Sequence, residues 1–200
     1  VGEPNSPVGP GEAVAATRGS LVRHPRFLAA AVTVAAVAVA GLVFLVSVPV
    51  RRIQEVAVIA HRGSSATAPE NSLAAFRLAA DQGTDYVELD VQESADGEVL
   101  VVHDSDLMKA AGDPMKVWET DAARIRSVDI GSRVGSQFAS ERVPTLAEAL
   151  AVCKGRCKVV VELKQYGHGV QLEEKVVGLV EAAGMADDCV FMSLDHGMVR

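Results

Sequence analysis

The chain reads as an α/β domain preceded by a long apolar segment, and three observations lead there. From Glu55 onward, short apolar runs alternate with helix-like segments; polar residues collect where those runs end; and residues 27–50 carry no charged residue. Strands alternating with helices imply parallel pairing, as an open sheet or as a barrel.

The elements follow in order. Residues 1–26 begin VGEPNSPVGPGEAVAATRGS, a stretch rich in Pro, Gly and small residues that reads as a flexible polar tail or linker. Residues 27–50, FLAAAVTVAAVAVAGLVFLVSVPV, read as a transmembrane helix. At 1.5 Å per residue such a helix spans about 36 Å, against a hydrocarbon core of about 30 Å. The run is too long for the apolar part of a cleaved signal, roughly 7–15 residues. Arg18, Arg23 and Arg26 flank one side and Arg51 and Arg52 the other, so the charges do not set an orientation. The expectation is a membrane protein with its main domain, residues 53–200, on one face.

In that domain EVAVIA (55–60) is the first strand, and NSLAAFRLAADQG (71–83) a helix with Asn71 as N-cap and Gly83 as terminator. YVELDV (86–91) is the second strand. The chain turns through Asp96-Gly97 into a third strand that ends near His103. A short helix is expected around 121–128 and another at TLAEALAV (145–152). KVVVEL (158–163) is the fourth strand, QLEEKVVGLVEAAG (171–184) a helix and CVFMS (189–193) the fifth strand.

Charge and composition narrow the partners. The net charge of −7 hides an asymmetry: residues 1–52 hold five Arg against two Glu, and residues 53–200 hold 14 Lys and Arg against 24 Asp and Glu. An acidic domain with 4% aromatic residues and no basic stripe argues against nucleic acid as a partner. Cys153 and Cys157 are spaced so that they can pair in an oxidising compartment, which leaves Cys189 over; three reduced thiols are the simpler reading, and no zinc-ligand spacing is present. Trp118 is expected to pack beneath an irregular loop, and His168 and His196 to lie at the surface.

The chemistry sits at the strand ends. Glu88 and Asp90 are two residues apart, so on a strand they share a face about 7 Å apart along the chain. Two inward carboxylates repel and lose hydration unless a cation sits between them. Glu162, at the end of the apolar run VVVEL, is a third acid, and an oxygen-rich trio suits a hard cation such as Mg²⁺ or Ca²⁺. His61 ends the first strand and His103 the third. Two histidines, Arg62 and three acids form a set suited to acid–base attack on a phosphate ester.

HRG at 61–63, PEN at 69–71, ELD at 88–90, HD at 103–104 and ELK at 162–164 resemble, in this order, the signature of the glycerophosphodiester phosphodiesterase family. The resemblance runs from about Val56 to the end of the chain. It implies a TIM (β/α)8 barrel and metal-dependent hydrolysis of glycerophosphodiesters to glycerol 3-phosphate and an alcohol. It further implies His61 and His103 as general acid and base, and Glu88, Asp90 and Glu162 as ligands of a divalent cation. Arg62 and Lys164 become phosphate contacts, and Glu70 and Asn71 order the first loop and the metal shell. A complete barrel has eight strands in about 250 residues. Only five are expected here, so the resemblance leads one to expect a partial barrel in a chain cut short at its C-terminal side, inactive by itself. Two other readings stay open on the same residues: a phospholipase D-like or phosphoinositide-type enzyme acting on intact or lyso lipids, and a non-catalytic, membrane-anchored binding domain.

Overall fold

The computed structural model describes residues 25–47 and 56–199, with side chains described over 29–43 and 56–199. It falls into two units, Val1–Gln54 and Glu55–Arg200. In the first, helix α1 runs Pro25–Ser47 and its described side chains are exposed. Of the expected tail, residues 1–26, the last two belong to α1; residues 1–24, Arg51, Arg52 and the end of the expected span at 48–50 lie outside the described residues. Among the described residues no helix is long and apolar enough to cross a membrane.

The second unit runs β1 (Ile59–Ala60), α2 (Leu73–Asp81), β2 (Tyr86–Glu93), β3 (Val99–Val101), β4 (Asp106–Leu107), α3 (Met108–Ala111), β5 (Asp113–Lys116), α4 (Ala122–Ile125), α5 (Leu146–Cys153), β6 (Lys158–Leu163), α6 (Leu172–Ala183) and β7 (Cys189–Met192). Strands β1, β2, β6 and β7 pair in that order, all parallel. In the β2–β6 register Glu88 faces Val160 and Asp90 faces Glu162.

Two expectations are corrected. The third strand does not join the parallel set. β3 returns antiparallel along β2, pairing Val101 with Val91 and Val99 with Glu93. The reason is the tight turn: Gly97 takes a φ of +83° and its N–H donates to the Ser94 carbonyl at 3.0 Å. So short a connection can join only antiparallel strands, since a parallel return needs a crossover. The cap of α2 is Ser72, not Asn71. The Ser72 hydroxyl accepts from the Ala75 N–H at 3.2 Å, while Asn71 has a φ of +54°, outside the extended conformation of an N-cap.

Strands β4 and β5 and helix α3 were not expected from the sequence, whereas α5 and α6 follow their sequence signals. Thr145 and Glu148 form a reciprocal capping box at the start of α5. Gly184 ends α6 in the left-handed conformation, where the absence of Cβ removes the steric penalty.

Alternation along the strands sorts the two faces of the sheet. Val87, Leu89 and Val91 of β2, with Val159, Val161 and Leu163 of β6, join Phe76, Leu146, Leu150, Leu172, Val176 and Val180 in one core beneath α2, α5 and α6. The even-numbered residues Glu88, Asp90 and Gln92 of β2, and Glu162 of β6, therefore point to the opposite face. A second core of Leu100, Leu107, Val117, Ile125, Ile130 and Val143 supports the segment between β3 and α5. Cys153, Cys157 and Cys189 are all free thiols, and burial pushes each of their pKa values up, that of Cys189 to about 11.

Candidate functional site

The face of β2 and β6 away from the helices carries three buried carboxylates, Glu88, Asp90 and Glu162. One oxygen from each lies within 4.8 Å of the others. Register explains this: Asp90 and Glu162 are partners across neighbouring strands, and Glu88 precedes Asp90 on the same face.

Each carboxylate is partly satisfied. Glu88 Oε2 accepts the Arg62 N–H at 2.8 Å, and Asp90 Oδ2 accepts Asn71 Nδ2 at 2.8 Å with Arg62 Nε at 3.4 Å. Lys164 Nζ donates to Glu162 Oε1 at 2.8 Å and stands 3.3 Å from Asp90 Oδ1. Two oxygens, Glu88 Oε1 and Asp90 Oδ1, are buried with no hydrogen bond. Three acids against Arg62 and Lys164 leave one uncompensated negative charge in a buried place. Burial first, then the neighbouring Asp90 and Glu162 carboxylates, raise the Glu88 pKa to about 7. Burial works against the charged form of Lys164, but Glu162 and Asp90 outweigh it and raise its pKa. Buried carboxylate oxygens that accept no hydrogen bond, an excess negative charge and an all-oxygen donor set together fit a hard divalent cation.

The loop after β1 is built around these acids. Arg62 and Asn71 are the only non-glycine residues with positive φ among the described residues, at 56° and 54°. Such conformations cost about 1–2 kcal/mol each in a non-glycine residue. Both are held by the acids they serve: Arg62 through its N–H to Glu88, Asn71 through its side chain to Asp90. Gly63, at φ +75°, lets the loop approach α2, where a Cβ would fall 2.8 Å from Ala75. Glu70 accepts from Arg62 Nη1 at 3.2 Å and from Lys109 at 2.8 Å. Sequence reasoning missed Lys109, because its partner is 39 residues away.

The two histidines differ in setting. His61 is exposed, with Nε2 3.9 Å from Glu88 Oε2. His103 is partly buried and its Nδ1 lies 2.7 Å from Asp104 Oδ1, an arrangement that fixes the ring and leaves Nε2 for other work. His103 does not stand at the end of a parallel strand as expected. The antiparallel return of β3 carries it back beside Asp90, whose carbonyl accepts the Val102 N–H at 2.9 Å. Asp104 was visible in the sequence only as part of the HD pair and had no role assigned. At the rim Tyr166 Oη donates to the His103 carbonyl at 2.9 Å, and Trp118 stacks on His168 with ring centroids 4.2 Å apart. Every residue singled out from the sequence, His61, Arg62, Glu70, Asn71, Glu88, Asp90, His103, Glu162 and Lys164, thus lies in or beside one constellation.

Comparison with known proteins points the same way. The profile of the Glycerophosphoryl diester phosphodiesterase family matches residues 61–195. A glycerophosphodiester phosphodiesterase of Caldanaerobacter subterraneus is 34% identical over 148 residues, 72% of this chain and 60% of that protein. Among solved structures, a glycerophosphodiester phosphodiesterase from Agrobacterium tumefaciens is 37% identical with a TM-score of 0.64, covering 71% of this chain and 59% of its own. An Oleispira antarctica phosphodiesterase in complex with the product sn-glycerol-3-phosphate is 32% identical with a TM-score of 0.62, covering 72% of this chain and 60% of its own. The chain thus spans about 60% of the length of these proteins, and the described domain shares their α/β, TIM-barrel-like fold. With a family profile matched across most of the domain, and its motifs falling on the carboxylate site, the chain belongs to the glycerophosphoryl diester phosphodiesterase family.

Proposed function

We propose that the protein hydrolyses glycerophosphodiesters to glycerol 3-phosphate and an alcohol, using a divalent cation, Mg²⁺ or Ca²⁺. The observation that carries this reading is the buried trio Glu88, Asp90 and Glu162, two of whose oxygens accept no hydrogen bond, with His61 3.9 Å from Glu88. The product bound in the Oleispira antarctica phosphodiesterase supports the same substrate class.

In this reading the three carboxylates hold the cation. When bound, it supplies Lewis-acid polarisation of the phosphoryl oxygens. Arg62 and Lys164 bind phosphate oxygens and offset charge that builds up as the P–O bond breaks. One histidine takes the proton of the attacking hydroxyl, from water or from the substrate's own glycerol, and the other gives a proton to the leaving alcohol; attack by glycerol gives a cyclic phosphodiester, which water then opens to glycerol 3-phosphate. Asp104, on Nδ1 of His103, sets which ring nitrogen faces the substrate. Glu70 and Asn71 hold Arg62 and Asp90 in place.

A second reading, a lysolipid substrate, is favoured by the uncharged run 27–50, which we propose anchors the domain at a membrane. Glycerol 3-phosphate release from glycerophosphocholine by the full-length protein in detergent tests both. Release that EDTA removes and Mg²⁺ or Ca²⁺ restores is the expected result. Choline release confined to lysolipid micelles assigns the lipid substrate instead, and no release from either in folded, metal-loaded protein overturns hydrolysis.

A further inference from the structure

Gln92 has no part in the scheme above, yet it sits on the strand face that carries the acids, two residues beyond Asp90 and four beyond Glu88. It is only 3% exposed. Its Nε2 donates to three successive carbonyls, those of Val102 at 2.9 Å, His103 at 3.1 Å and Asp104 at 2.8 Å. An amide nitrogen carries two hydrogens, so one of them is shared among these acceptors. Three consecutive carbonyls turned toward one point are a conformation that neither helix nor strand provides; it needs a donor at its centre, because buried unpaired carbonyls are costly. No other side chain among the described residues donates to the Val102 or Asp104 carbonyl; the His103 carbonyl also receives Tyr166.

We infer that Gln92 is a positioning residue for the proposed acid–base step: it ties the His103 backbone to the rigid strand that bears Glu88 and Asp90. It thereby sets the distance between the imidazole and the metal-side carboxylates. A leucine in its place fills the volume but frees the Val102 and Asp104 carbonyls and leaves that of His103 to Tyr166 alone, so the segment carrying His103 relaxes away from β2. A misplacement on the order of 1 Å lowers turnover by about 10²-fold. A carboxylate there would face three carbonyl oxygens, so the position calls for a donor rather than for polarity as such.

The inference rests on the proposed role of His103, and its test separates the two. Full-length protein labelled with ¹⁵N-histidine is prepared as wild type, Gln92→Leu, His103→Ala and the double variant. Turnover of glycerophosphocholine and the His103 imidazole resonance, identified by its absence from His103→Ala, are both measured. Gln92→Leu is expected to lower kcat by about 10- to 100-fold with KM within about twofold, to move the His103 resonance, and to have no further effect in the His103→Ala background. A kcat within about twofold of wild type overturns the inference, and so does an equal loss with and without His103. If the wild type turns over no diester, the functional reading fails. The resonance alone then decides whether Gln92 holds His103: a shift supports the tie and an unchanged signal refutes it. Should the leucine variant not fold, Gln92→Asn, which keeps the amide but is one methylene short, is measured in its place with the same expectations.

Discussion

Replacing Glu88 with glutamine should make the metal-free protein more stable at neutral and alkaline pH, although it damages the site. The Glu88 carboxyl has a pKa of about 7 in the fold against 4.5 in the unfolded chain. The sign follows from proton counts. Below pH 4.5 both states hold the proton and the group contributes no pH dependence. Between 4.5 and 7 the unfolded chain has lost the proton while the folded one keeps it, so stability falls as pH rises. Above 7 the loss is complete. At about 1.4 kcal/mol per pH unit this amounts to about 3 kcal/mol. For a protein of this size that corresponds to roughly 6–12 °C in melting temperature. The assay is thermal unfolding of the full-length protein in EDTA, from pH 4.5 to 8, wild type against Glu88→Gln. The two should melt together at the acid end, and the glutamine variant should gain progressively as pH rises. Ca²⁺ or Mg²⁺ should stabilise the wild type at pH 8, by about 2.7 kcal/mol at a hundred times its dissociation constant, and do far less for the variant. A glutamine variant that melts below wild type at pH 8 in EDTA, or a difference that does not change with pH, would refute the argument that burial and carboxylate repulsion dominate at this position.

Three further outcomes follow from the geometry. His61→Ala or His103→Ala should lower turnover of glycerophosphocholine by roughly 10²–10⁴ while leaving metal binding intact, checked by initial rates beside calorimetry. Gly63→Ala should reduce the denaturant midpoint without changing the slope: the left-handed conformation at φ +75° alone costs about 1–2 kcal/mol in alanine, and the new Cβ meets Ala75. Phe76→Ala, at a position fully buried among Leu89, Leu146 and Leu150, should lose about 3–5 kcal/mol in the same experiment.

The parts of the site that were legible in the sequence are those encoded by short-range pattern. Glu88 and Asp90 announced a shared face by their spacing, and Glu162 stood out as an acid in an otherwise apolar run. The β2–β6 register that brings the three together is not local information; their convergence at strand ends was expected, and the pairing of the two strands came from the structure. What escaped depended on direction or on distance along the chain. VLV carries the same apolar signal whichever way the strand runs, and although the Asp96-Gly97 turn already implied an antiparallel return, the bond from Val102 to the Asp90 carbonyl had to come from the structure. Asn71 and Ser72 are both good capping residues; only the backbone shows that Ser72 caps α2 while Asn71 turns its amide to Asp90. Gln92, a polar residue on a strand, is indistinguishable in sequence from a solvent-facing one until three carbonyls are found around it. Lys109 meets Glu70 across 39 residues, a pairing no local pattern reveals.

Whether Glu88, Asp90 and Glu162 hold a divalent cation is tested most directly by titration calorimetry of Ca²⁺ into metal-stripped, full-length protein. The expected result is one ion bound per chain, with binding abolished in an Asp90→Asn, Glu162→Gln double variant that remains folded. Absence of binding to the wild type, or equal binding by the double variant, would contradict it.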